Sequence, residues 1–223
     1  KTYVDEEAGV VPEPWTPLAV EGDVVTMWGR EYDFSGGFLC TSLRSQGTEL
    51  LASPPILRVD GKPITPENDT APVRIMQDPM ATSMVTNAEL GKLRVSSRIT
   101  THFDGYCAVA MTFAPARQTV ALQSLSLDIP LNGELVTLVR DNKLSTLIGG
   151  KSGPIGNYWS QSLLKNPFFW VGNERIGLNW LAPDLEQWHC HDTGKNVEIV
   201  RQDDVAVVRL NLVDHPLELS VPR

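Results

Sequence analysis

No apolar run in this sequence approaches the ~20 residues that a helix needs to cross a bilayer, and no dense run of lysine and arginine occurs along it. The first absence excludes a helical membrane span. The second, with a formal charge of −8, argues against nucleic acid as a partner, because a polyphosphate binds where a basic surface displaces its counterions. Cysteine is also scarce. Cys40, Cys107 and Cys190 are odd in number and widely spaced, which excludes a disulfide framework and allows one bridge at most. Each lies in or beside an apolar segment, so buried free thiols are expected. The charged share is slightly low at 21%, against both disorder and a coiled coil. The opening residues, Lys1 to Glu7, are polar and acidic and do not form a secretory leader.

What the sequence does have is strand chemistry. From Lys92 to Phe103, Leu93, Val95, Ile99 and Phe103 point one way, and Lys92, Arg94, Arg98 and His102 the other. That period of two marks a half-buried strand. Asp104-Gly105 then reads as a hairpin turn, and the chain returns as Tyr106 to Phe113 with Cys107, Val109, Met111 and Phe113 on one face. A second hairpin follows the same logic: Val197 to Arg201, a turn at Asp203-Asp204, then Val205 to Val213 with Ala206, Val208, Leu210 and Leu212 inward. Further strands are expected at Asp23–Trp28, Phe38–Leu43, Ile56–Val59, Val73–Met76, Val120–Ile129 and Glu134–Val139, then at Phe168–Val171, Ile176–Leu181 and Leu217–Val221. Helical signals are thin, limited to a short helix or turn at Asn157–Lys165 and one turn at Asp184–Trp188. About a dozen strands separated by turn residues describe an all-β, antiparallel β-sandwich. Residues 1–14 read as a linker, and 15–223 as a single β-sandwich domain with room for one core.

Several short motifs invite chemistry and are outweighed by blander readings. Gly150-Lys151-Ser152 lacks the earlier glycine of a phosphate loop, since position 145 is Ser145, and Gly153-Pro154 blocks the helix that should follow. His189-Cys190-His191 places two imidazoles on one strand face, but no second cluster completes a zinc site, so no metal is expected. The carboxylate pairs Asp184/Glu186 and Asp203/Asp204 sit at turns, whereas glycosidic acid–base work needs a pair across a cleft. Asn68-Asp69-Thr70 matches a glycosylation acceptor. No Gly-x-Ser-x-Gly elbow is present. An enzyme built on this sandwich would have to converge groups such as His102, His189 and His191.

The most distinctive stretch runs from Pro167 to Trp188. Phe168, Trp170, Trp180 and Trp188 crowd within it, with Asn173, Glu174 and Arg175 at a turn. Indole rings stack on the C–H faces of sugars while amides and carboxylates bind hydroxyls, so the candidate ligand residues are Trp188, Asn173, Glu174 and Arg175, and the candidate ligand is a glycan. Tryptophans filling a core explain Trp170 and Trp180 more simply.

The run from Phe169 to Trp180, Phe-Trp-Val-Gly-Asn-Glu-Arg-Ile-Gly-Leu-Asn-Trp, resembles a stretch in bacterial proteins related to glycoside hydrolase family 123. Trp15-Thr16-Pro17, Trp28-Gly29-Arg30-Glu31-Tyr32, Ser45 to Ala52, Phe103-Asp104-Gly105, Leu125 to Leu131 and Leu212 to Pro222 extend the resemblance. Those proteins carry a β-sandwich region ahead of a catalytic barrel that hydrolyses N-acetylgalactosaminides with an Asp-Glu pair and the substrate's acetamido group. No position here matches that pair, so no catalytic residue is carried over. The resemblance implies a non-catalytic accessory sandwich without cofactor, packing on a barrel of the same polypeptide, in a parent protein that is secreted or periplasmic. The alternative is a carbohydrate-binding module using residues 167–188.

Overall fold

Tight turns made of left-handed residues lay out the strands. At Gln46-Gly47 and at Asp60-Gly61 the two central residues take φ values of +51° and +76°. Positive φ at both positions is the type I′ turn, whose twist matches that of the strands it joins. Trp28-Gly29 closes a third two-residue hairpin, between Met27 and Arg30.

The computed structural model describes residues 9–36, 38–65, 71–141, 153–162, 168–182, 185–190 and 195–220. In chain order the strands begin with β1 (Ala19–Glu21), β2 (Val24–Met27), β3 (Arg30–Asp33), β4 (Ser42–Ser45), β5 (Thr48–Glu49), β6 (Ile56–Val59) and β7 (Lys62–Ile64). They continue with β8 (Val73–Gln77), β9 (Ala81–Leu90), β10 (Leu93–His102), β11 (Cys107–Pro115), β12 (Val120–Leu122), β13 (Leu125–Asn132) and β14 (Leu138–Asp141). The last are β15 (Gly153–Pro154), β16 (Tyr158–Gln161), β17 (Phe168–Gly172), β18 (Gly177–Leu181), β19 (Val197–Gln202), β20 (Val205–Val213) and β21 (Leu217–Leu219). Every strand pairing is antiparallel. The all-β reading holds: among the described residues the helical content is a single 3-10 turn at Gly133–Leu135, and none of their helices is long and apolar enough to cross a membrane.

Where the sequence treats 15–223 as one unit, the contacts gather into two compact units. The first comprises 1–49, 66–118 and 220–223, and the second 50–65 and 119–219. In the first, a sheet of order β1-β2-β3-β4-β5 and one of order β11-β10-β9-β8 share a core. Val25, Met27, Tyr32 and Phe34 meet Met84 and Ile99 there, with Cys40, Cys107 and Val109 packed alongside. Leu93, Val95, Ser97, Ile99 and Thr101 are all buried on β10, and Arg94 and Arg98 are exposed, as the alternation requires. The turn after β10 differs from a simple Asp-Gly pair. The Gly105 N–H donates to His102 O (2.9 Å) and His102 N–H to Tyr106 O (2.8 Å), with φ +85° at Gly105. This is a three-residue loop, Phe103 to Gly105, whose left-handed position needs the glycine.

The second unit holds a six-stranded sheet, β16-β19-β20-β13-β6-β7, a four-stranded sheet, β15-β14-β17-β18, and the ribbon β12-β21. Trp159 on β16 meets Phe169 on β17 with ring centroids 6.3 Å apart, so the two sheets share the core in which Val171, Ile199, Val208 and Leu210 are fully buried. On β20, Ala206, Val208 and Leu210 point inward as expected, but Leu212 does not complete the series. Leu125 pairs with Val213 and Ser126 with Asn211. Leu212 is therefore the extra residue of a β-bulge, which passes the buried position to Val213.

Four expected elements are placed differently. Strand β4 begins at Ser42 rather than Phe38, the strand expected at Val120–Ile129 is divided between β12 and β13 in different sheets, Glu134 lies in the 3-10 turn rather than a strand, and Tyr158–Gln161 is a strand where a short helix or turn is expected. Buried Trp159 and Gln161 alternating with Tyr158 and Ser160 explain that strand.

Candidate binding surface

Trp28 is the most conspicuous side chain in the first unit. A bulky residue with positive φ is uncommon and strained, yet Trp28 sits at φ +20° with 46% of its surface exposed. Its indole lies 6.1 Å from Trp15, and Trp15 in turn meets Phe103 edge-on at 5.8 Å. Trp28, at the end of this aromatic row, lines a cleft of about 540 Å³. Arg30, Glu31, Arg44 and Gln46 supply its polar groups, and Thr16 and Thr26 its hydroxyls.

The polar groups are held before any ligand arrives. The Arg30 guanidinium donates to Asp104 O (3.0 Å) and lies over Gly105, where a Cβ would come within 2.7 Å of its Cδ. Arg44 bridges Glu31 and Glu49, each at 3.4 Å. Glu49 is anchored further by the Leu43 N–H (2.9 Å) and by the Ser42 hydroxyl. Beneath the cleft, the Tyr32 hydroxyl donates to Gly105 O (2.8 Å), and burial, aided by Cys107, raises its pKa above the usual range. Burial likewise pushes the Cys40 thiol up to about 12 and Cys107 to about 11. All three cysteines are free, as their apolar neighbourhoods suggest.

The aromatic segment singled out from the sequence lies in the second unit. Trp170 covers a facing glycine pair, Gly172 and Gly177, at which an added Cβ would come within 2.8 Å of its ring. The indole N–H of Trp180 is buried without a partner among the described residues. Asn173 Oδ1 accepts the Arg175 and Ile176 N–H groups (2.9 and 3.0 Å), so this end of the amide shapes the β17–β18 turn, with Glu174 and Arg175 exposed at its tip. Trp188 is half-buried after a turn closed by its own N–H to Leu185 O (2.9 Å). Trp188, Asn173, Glu174 and Arg175 do not line the cleft beside Trp28.

His189 stacks on His215 at 3.9 Å between ring centroids, a partner the sequence does not reveal. The Cys190 thiol donates to Asn211 O (2.6 Å), and burial raises its pKa to about 11. Asp203 and Asp204 occupy the exposed β19–β20 turn, Asp203 with φ +52°. His191, Asp184, Asn68-Asp69-Thr70 and Gly150-Lys151-Ser152 lie outside the described residues. Among the described residues, no group of three or more His, Cys, Asp or Glu side chains is placed to hold a metal ion.

No protein-family model matches the chain, and no curated protein does. The functional reading therefore rests on geometry and on chemistry that the side chains can perform.

Proposed function

We propose that this chain is a non-catalytic accessory β-sandwich of a larger carbohydrate-processing protein, and that it contacts glycan through the cleft beside Trp28. The observation that carries the reading is the exposed indole of Trp28, set on a strained backbone, backed by Trp15 and flanked by two held guanidinium groups together with amide and hydroxyl groups. An indole face takes the C–H side of a sugar ring, and pre-positioned donors and acceptors take its hydroxyls without ordering cost. Catalysis belongs elsewhere in this reading because, among the described residues, Glu31 is the single carboxylate lining the cleft, where glycoside hydrolysis needs two at a spacing of ~5–9 Å.

An accessory role also draws support from β8. Val73 (63% exposed), Ile75 and Met76 present apolar side chains on the edge of the four-stranded sheet. An open apolar edge is a surface that folded proteins ordinarily cover, and a catalytic barrel of the same polypeptide is the proposed cover.

Affinity electrophoresis tests the binding half. In native gels containing soluble neutral polysaccharides, the chain is expected to be retarded in at least one, and Trp28→Ala to be retarded clearly less. Equal mobility of both proteins in every gel would remove the support for a glycan-binding cleft.

A further inference from the structure

The outward face of the six-stranded sheet carries a second cleft, of about 480 Å³, floored by β6, β13, β19 and β20. Two cations and two anions line it: Arg58 and Arg209, Asp128 and Glu198. Asp128 is buried, with 3% of its side chain exposed, and holds both cations. Arg209 binds it bidentately, Nε to Oδ1 at 2.6 Å and Nη2 to Oδ2 at 2.8 Å, and Arg58 Nε reaches Oδ2 at 2.7 Å. Arg58 Nη1 donates to Gly61 O (3.3 Å). Glu198 accepts from the Tyr158 hydroxyl (2.6 Å) and from Asn211 Nδ2 (2.9 Å), whose other hydrogen goes to Lys195 O (2.6 Å).

We infer that this face is a second carbohydrate site, taking a neutral saccharide that presents neighbouring hydroxyls. The charges cancel in place, so the face does not attract an ion of either sign. Its groups are nevertheless unspent. Arg209 Nη1 and Arg58 Nη2 have no partner among the described residues, and each Glu198 oxygen, accepting a single bond, retains lone-pair capacity. Cationic donors beside anionic acceptors match vicinal hydroxyls, each of which donates and accepts. The Tyr158 ring, half exposed on edge strand β16, shares this face with Glu198 and Val200 and offers a stacking surface. A peptide partner would strip water from fixed ion pairs and leave their remaining valences unmet. The site shares carbohydrate chemistry with the Trp28 reading but none of its residues, and the two stand or fall separately.

Amide-resolved NMR of the whole chain, titrated with neutral disaccharides of glucose, galactose and N-acetylhexosamines, tests it. At least one sugar is expected to shift the Ser126, Glu198, Arg209 and Asn211 amides. Those shifts should persist in Trp28→Ala. Apparent affinity should fall about tenfold in Tyr158→Ala and less in Tyr158→Phe, which keeps the ring and loses only the bond to Glu198. No shift at these amides with any sugar, shifts indifferent to Tyr158→Ala, or equal shifts with inorganic phosphate would each overturn the inference. Shifts confined to the surroundings of Trp28 would overturn it while leaving the Trp28 cleft standing.

Discussion

Asp128 shows at the scale of one residue how burial and charge compete. Burial pushes its carboxyl pKa up, yet hydrogen bonds from Arg209 and Arg58 more than offset this and hold it below the usual carboxylate range. A carboxyl with a lowered folded-state pKa adds stability that is present above its unfolded value of ~3.9 and is lost as pH falls through the folded value. Asp128→Asn should therefore unfold at lower urea than the parent at neutral pH, by about 2–3 kcal/mol. That is less than the ~3–5 kcal/mol for breaking a fully buried pair, because both guanidinium groups are partly in water. The difference should shrink as pH falls below the unfolded carboxyl value of ~3.9. Identical urea curves at neutral pH would contradict the role given to this pair. Gly172 makes a second residue-scale point: an added Cβ would sit 2.3 Å from Ile176 O and 2.8 Å from the Trp170 ring. The first neighbour is backbone and has little room to move, so Gly172→Ala is expected to cost roughly 1–3 kcal/mol in denaturant unfolding. The cysteines, with thiols raised to about 12, 11 and 11, should react slowly with a thiol reagent at neutral pH and promptly once denatured. Fast labelling of all three in the native chain would show that they are not held as described.

At the scale of elements, the Trp28-Gly29 hairpin is the place where fold and proposed function pull apart. Glycine or asparagine suits a left-handed turn position far better than tryptophan. Trp28→Gly relieves strain of order 1–3 kcal/mol and gives up an indole contact worth ~0.5–1.5 kcal/mol, so the change in stability should lie between a loss of about 0.5 and a gain of about 2.5 kcal/mol. Glycan retention, by contrast, should fall sharply. A large loss of stability would mean that Trp28 is there for packing. The same scale shows what a sequence discloses. Strong alternation made β10, β11, β19 and β20 legible, and β6 and the β20 range fall on the expected residues. Strand β9 (Ala81–Leu90) escaped notice although it pairs along its whole length with β10. Its inward residues include Thr82, Thr86 and Ala88, too small or too polar to register as an apolar stripe. The bulge at Leu212 was equally silent, since pairing register is a property of two strands and the alternation of one cannot report it.

For the molecule as a whole, alternation and turn residues disclose the all-β class and composition the acidic charge, while the clefts come from contacts distant in sequence. Trp28 meets Phe103 through Trp15, and Asp128 meets arginines 70 and 81 residues away. Residue types alone drew attention to the tryptophan-rich stretch near 170–188 because it is dense, not because it is exposed. The measurement that tests the central claim most directly is a tryptophan-fluorescence titration of the whole chain with the neutral glycan that retards it most, followed by analysis of the recovered glycan. A saturable change, strongly reduced in Trp28→Ala, with the glycan recovered uncleaved, is the predicted result. A response undiminished in Trp28→Ala, or a glycan returned with new reducing ends, would contradict the account of a non-catalytic domain that binds through Trp28.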